Sequence, residues 1–256
     1  MPLTSASPLT AVSPVHALPA HVKLVGALAF VLGVVATPRT AVSAFVVDAA
    51  AVLAVVALAH VPFTTFLRRL VIAAPFVAFA FLLPFVARGP QVAVGPFEVS
   101  VDGLWAGWGI LVKGTLGVGV AVVLSSTTSS TDLLGGAQRL RVPAVFVAIA
   151  SFMVRYGAVL IGEVERLRIA RVSRGDDPRW LWQGRAVATT AGTLFVRSFE
   201  RGERVHVAMG SRGFDGTWPR GDDVPAPPSA WLAAGAFAAV SVVGATVALV
   251  ATPGVG

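Results

Sequence analysis

The chain has 256 residues, of which 55% are hydrophobic and 13% charged, and its mean hydropathy is +0.79. An ordinary soluble domain is about 25% charged, so this composition excludes a water-soluble domain and reads as an integral membrane protein. A net charge of +7 in a soluble protein points toward nucleic acid; in a membrane protein it points to cytoplasmic loops, and the absence of cysteine excludes disulfides, thiolate metal sites and a cysteine nucleophile.

Residues 1–20 hold no Lys or Arg and so lack the basic start of a secretory signal. They read as a Pro/Ser/Thr-bearing cytoplasmic tail. Residues 21–124 hold four apolar runs near the ~20 residues a spanning helix needs. Leu24–Ala36 is short and reaches spanning length only with its flanks. Thr40–Ala59 contains Asp48, and Leu70–Ala87 contains Pro75 and Pro84 as kinks. Trp105–Leu124 contains Lys113, with Trp105 and Trp108 as interface anchors. A fifth run, Trp231–Val250, lies within the last segment, residues 230–256. The expected fold is therefore an all-α integral membrane protein with about five spans.

Basic residues set the topology. The turn Thr37–Thr40 carries only Arg39, the next connection carries Arg68 and Arg69, and the Gly/Pro-rich connection Arg88–Gly103 carries only Arg88. Residues 125–229 hold 14 of the 20 basic residues, all of them Arg. By the positive-inside rule this segment and the N-terminus are cytoplasmic, and the C-terminus is outside. Val142–Gly162 is apolar enough for a sixth span. Its flanks, Arg139 and Arg141 at one end and Arg166, Arg168 and Arg171 at the other, favour a helix lying in or under the cytoplasmic interface.

Within that segment Ser173-Arg174-Gly175 recurs as Ser211-Arg212-Gly213, each followed by Asp and then Pro. Gly is common just past a helix C-terminus, and Arg suits the negative end of the helix dipole. The pattern predicts two long helices, about Pro143–Arg174 and Arg179–Arg212, each with an Arg at its tip. A plain helix-ending role explains these triplets too; a docking role adds that the planar guanidinium recognises carboxylates and carbonyls directionally. The second helix carries Glu200, Arg201, Gly202, Glu203 and Arg204, with Glu200 and Arg204 placed for an i,i+4 ion pair. Gly202 either permits a close helix crossing or lies on an exposed face.

Catalytic chemistry is sparse. The four histidines, His16, His21, His60 and His206, form no metal-ligand spacing. Gly114–Gly119 lacks the Lys of a phosphate-binding loop and reads as small-residue helix packing. Asp48 and Lys113 are ionisable groups within spans and form a candidate pair; the alternative places each near a membrane boundary, with Lys113 snorkelling.

The stretch Arg197–Gly216, RSFERGERVHVAMGSRGFDG, resembles the signature of the transmembrane T component of energy-coupling-factor transporters, in its cobalt-type CbiQ branch. Ser126–Leu134, Arg141–Pro143 and Ala170–Gly175 extend the likeness. The resemblance implies two crossed coupling helices whose tips dock on two ATP-binding-cassette subunits. Ser173, Arg174, Gly175, Ser211, Arg212 and Gly213 would be the docking residues. Ser precedes both arginines here, where the family often has Ala. It further implies no catalysis and no bound cofactor in this chain, with ATP used by the partners. Co²⁺, or Ni²⁺, would be captured by a separate small membrane subunit, and nucleic acid has no part. Other readings are a T component serving a vitamin or another micronutrient, a membrane enzyme acting on an anionic substrate near Glu200, Glu203 and His206, and a stand-alone transporter, whose inverted repeats are not seen.

Overall fold

A computed structural model describes residues 13–87, 89–94, 97–175, 184–214 and 225–251. Its helices are α1 (Pro14–Ala17), α2 (Ala20–Ala36), α3 (Val42–Leu58), α4 (Phe63–Leu70), α5 (Ala74–Val86), α6 (Val101–Thr127), α7 (Ser130–Arg139), α8 (Ala144–Val172), α9 (Gly184–Gly210) and α10 (Pro228–Ala251). A short 3-10 segment, Val71–Ala73, joins α4 to α5, so Phe63–Val86 runs as one apolar helix. The strands β1 (Gln91–Val94) and β2 (Phe97–Ser100) pair antiparallel, with Gln91 opposite Ser100.

Four helices are long and apolar enough to cross a membrane: Phe63–Val86, Val101–Thr127, Ala144–Val172 and Pro228–Val250. Ala20–Ala36 and Val42–Leu58 are shorter apolar helices. At 17 residues each they are about 25 Å long, the low end of what a bilayer core requires. The protein is thus an all-α multi-pass membrane protein. Its α5 leaves Phe79, Phe81 and Phe85 exposed, side chains at home only against lipid.

Two expectations change. Arg68 and Arg69 lie in the last turn of α4, not in a connection, because the helix already starts after Pro62. The connection is Ala59–Pro62, turned at His60, whose φ is 52°. The segment after α5, read as a Gly/Pro-rich loop, holds the β1–β2 hairpin.

The chain divides into a larger unit, Ala6–Leu140 with Asp223–Gly256, and a smaller one built on Arg141–Asp222. The boundary falls at Arg141. The cause is α7, which packs on the start of α2: a Cβ on Gly136 would fall 2.9 Å from the His21 nitrogen.

Inside the larger unit, small residues set the helix spacing. Gly26 faces Ala234, and seven residues on, Gly33 faces Ser241, so α2 and α10 approach closely over two turns. Phe30 and Phe237 stack beside them with ring centroids 4.3 Å apart. The α5–α6 contact is as close, and here the facing atoms are backbone. A Cβ on Gly107 would fall 2.5 Å from the Ala80 carbonyl oxygen, and one on Gly103 2.7 Å from that of Leu83. Ala80 is four residues before Pro84, which has no N–H to give it. Gly107 brings a Cα–H against that orphaned oxygen, a weak donor where no water is available.

Candidate functional site

The smaller unit presents both arginine triplets at helix ends. Helix α8 closes with Ser173 N–H donating to the Ile169 carbonyl (2.9 Å) and Gly175 N–H to that of Val172 (2.9 Å). Helix α9 closes with Ser211 N–H on Val207 (2.9 Å), Gly213 N–H on Gly210 (3.0 Å) and Phe214 N–H on Met209 (3.0 Å). Gly175 and Gly213 both have φ of 80°, the left-handed conformation that only Gly adopts without strain. The last two bonds of α9 are the pair that satisfies a helix's final carbonyls. The serines serve the same end, Ser173 Oγ donating to Ile169 and Ser211 Oγ to Ala208. Arg174 and Arg212 are exposed, and among the described residues neither has an ion-pair partner.

Two contacts hold α8 to α9. Glu163 accepts from both Arg166 (2.5 Å) on its own helix and Arg197 on α9. Eight residues on, Arg171 Nη1 donates to Thr190 Oγ1 at 3.2 Å. Moving forward along α8 means moving backward along α9, so the helices run antiparallel through this clasp. Charge patterning did not single out Glu163 or Arg197 as partners; the only signal was an acid closing the apolar run of α8. Glu200 and Arg204 form the expected i,i+4 pair at 3.9 Å, exposed and weak. A Cβ on Gly202 meets nothing within 4 Å, so no close crossing is built there among the described residues, and Glu203 and Arg201 lie on the same helix. The predicted start of the second helix, residues 179–183, and the breakers at 176–178 and 215–219 lie outside the described residues.

Asp48 and Lys113 are not brought together, which corrects the expected pair. Asp48 is 1% exposed on α3; Ser241 of α10 lies beside its carboxylate, but among the described residues no donor meets either oxygen in good hydrogen-bond geometry. Lys113 Nζ instead donates to the Val35 carbonyl at 2.7 Å. Val35 is in the last turn of α2, where carbonyls lack helical donors, so Lys113 closes the C-terminus of another helix. Lys23, the only other lysine, does likewise: its Nζ donates to His16 O (3.3 Å), Thr127 O (3.1 Å) and Thr128 Oγ1 (3.3 Å). A charge at a helix C-terminus is worth about 1 kcal/mol in this setting. Replacing Lys113 with Met therefore lowers unfolding free energy by about 1 kcal/mol, read by steric trapping in micelles; an unchanged stability would deny the capping role.

Among the described residues no group of three His, Asp or Glu stands together to hold a metal ion.

The sequence pattern of the CbiQ family, described as cobalt transport protein, matches residues 11–222. The chain is 30% identical over 120 residues to a fused cobalt transport protein, CbiMQ, of Methanocorpusculum labreanum, covering 47% of this chain and 20% of that protein. It is 31% identical over 96 residues to the cobalt transport protein CbiQ of Rhodobacter capsulatus, covering 36% and 38%. It is 28% identical over 179 residues to the energy-coupling factor transporter transmembrane protein EcfT of Bacillus subtilis, covering 63% and 66%. The chain spans less than two thirds of the length of these relatives. The family match takes in five of the apolar helices and both arginine tips, and on it the chain belongs to the CbiQ family of cobalt transport proteins.

Proposed function

We propose that this chain is the transmembrane coupling subunit, or T component, of an energy-coupling-factor importer for cobalt, with nickel the alternative ion. The observation that carries the reading is the pair of identical, glycine-capped arginine tips on antiparallel helices. Because α8 and α9 run in opposite directions, Arg174 and Arg212 project from opposite ends of the pair. The contacts place Arg174 beside residue 187 of α9, so the tips stand roughly 37 Å apart along the helix axis. Two separated, equivalent docking points suit two copies of one soluble partner. The partners are two ATP-binding-cassette subunits docked at Ser173–Gly175 and Ser211–Gly213, and a small membrane subunit that captures the metal.

ATP binding and hydrolysis in the docked subunits move the tips, and the clasped helices pass that motion to the substrate-binding subunit. In this reading the N-terminus and the 125–229 segment are cytoplasmic and the C-terminus is outside, in the cell membrane. The signature Glu200-Arg201-Gly202-Glu203-Arg204 lies on the transmitting helix. The chain itself catalyses nothing and holds no cofactor. A second reading, a T component serving a vitamin or other micronutrient, draws on the EcfT-named relative.

The test is reconstitution. Proteoliposomes holding this chain, the two ATPases and the small membrane subunit should take up radioactive cobalt only with ATP inside the cytoplasmic-facing compartment. Leaving out any one component should abolish uptake. Uptake by this chain alone would overturn the proposal, and ATP-driven uptake of a vitamin with no cobalt flux would establish the second reading.

A further inference from the structure

The larger unit encloses an apolar cavity of about 180 Å³ at the end of the bundle that carries Lys23. Helices α2, α3, α6 and α10 wall it, with Ala27, Val52, Val120 and Phe237 among the lining side chains, and Val15 and Leu18 of the α1 segment close one end. Leu58 of α3 is 54% exposed and Ala233 of α10 is also exposed, and both line the cavity, so it opens between these two helices.

A void of this size left empty forfeits the dispersion contacts of every atom around it. Water does not fill it, because a buried water needs two to four polar partners, and the exposed walls are almost wholly hydrocarbon, with the Lys23 ammonium turned to its own carbonyl and hydroxyl partners. The medium at the opening is itself hydrocarbon, since α10 is long and apolar enough to cross the bilayer and α3 beside it is an uninterrupted apolar helix with lipid-type exposed side chains. The filler that matches both wall and opening is an acyl chain.

The rim adds a charge preference. Lys23 lines the cavity, and its three N–H bonds go to two carbonyls and a hydroxyl, all neutral. Among the described residues no carboxylate lies within ion-pair distance of it. Trp231, packed on the His21 ring at 5.8 Å, marks the headgroup level at the start of α10. Asp132 of α7 acts on Lys23 only from beyond ion-pair distance, and a cation at that level with no carboxylate in contact attracts an anionic headgroup.

We propose that this cavity is a lipid site, taking a segment of one acyl chain of an anionic phospholipid whose headgroup lies beside Lys23, the rest of the chain lying in the bilayer outside the opening. The proposal is independent of the docking reading.

The full chain, in nanodiscs of equal parts phosphatidylglycerol and phosphatidylcholine, is extracted into mild detergent and weighed by native mass spectrometry. The expected result is one retained lipid, with phosphatidylglycerol favoured about fivefold, the effect of one cation near the membrane surface. Ala27→Leu, which adds side-chain volume inside the cavity, should lose the retained lipid. Lys23→Gln, which keeps two N–H donors for the carbonyls, should keep a lipid and lose the preference. Wild-type protein that retains no lipid overturns the site whatever the variants do, as does Ala27→Leu retaining it at wild-type level. Wild-type protein retaining both lipids equally overturns the role given to Lys23.

Discussion

Replacing Arg174 and Arg212 together with Ala abolishes co-purification of the ATPase subunits, while the protein still inserts and keeps its helix content. An interface arginine in a central position costs about 2 kcal/mol or more when truncated. Two such losses amount to about a thousandfold in affinity. Both side chains are exposed and bear no ion pair among the described residues, so surface truncation changes folding by only about 0.5 kcal/mol. Each single variant should weaken binding about thirtyfold and lower ATP-driven uptake in step. Arg→Lys at both tips should not restore binding, because an ammonium lacks the planar fork. Gly213→Val provides a separate arm: it keeps Arg212 but places a β-branched residue at φ 80°, unwinding the cap and misdirecting the guanidinium. A double Ala variant that still holds the ATPases through size-exclusion chromatography would remove the docking role from these tips.

Gly107→Leu prevents the larger unit from assembling. A Cβ at this position already falls 2.5 Å from the Ala80 carbonyl oxygen, and backbone cannot step aside as a flexible side chain can. Helices α5 and α6 must separate, and Ala80, already without a helical donor because of Pro84, then faces lipid unpaired. An unsatisfied backbone group in hydrocarbon costs several kcal/mol, enough to remove most of the stability of an ordinary fold. The expected result is aggregated or proteolysed protein in place of a monodisperse peak after mild detergent extraction. The control lies on the same helix: a Cβ on Gly117 meets nothing within 4 Å, and Gly117→Leu should purify as the parent does. If both variants behave alike, the close α5–α6 approach is not what holds that part of the bundle.

Much of the site was legible in the sequence because helix endings are written locally. A Gly in the left-handed conformation and an Arg in the last turn are requirements of the terminus itself, so two copies of Ser-Arg-Gly marked two tips before any packing was known. Apolar composition likewise identified the membrane helices, for hydrocarbon demands it of each helix separately. What composition cannot give is which helix faces which. Asp48 and Lys113 were paired by charge, yet register brings Lys113 to the frayed end of α2 and leaves Asp48 inside the bundle. The clasp of Glu163 with Arg197 escaped for the same reason: it depends on two residues 34 positions apart, on different helices, meeting at one height. The β hairpin was hidden by its own brevity, since the alternation in Gln91–Ser100 is interrupted by a Gly-Pro pair that reads equally as loop.

The clasp between α8 and α9 sits off-centre with respect to the two tips. Arg174 lies only about 5 Å beyond the Arg171 contact, whereas Arg212 lies about 22 Å beyond Arg197. Two antiparallel rods pinned at such a point make a lever with one short and one long arm. The same rocking angle carries the long arm about five times as far and delivers about a fifth of the force. Under the proposed function, two ATPase subunits acting on such a beam would not be mechanically interchangeable: one would set the stroke and the other would work nearly as a fulcrum.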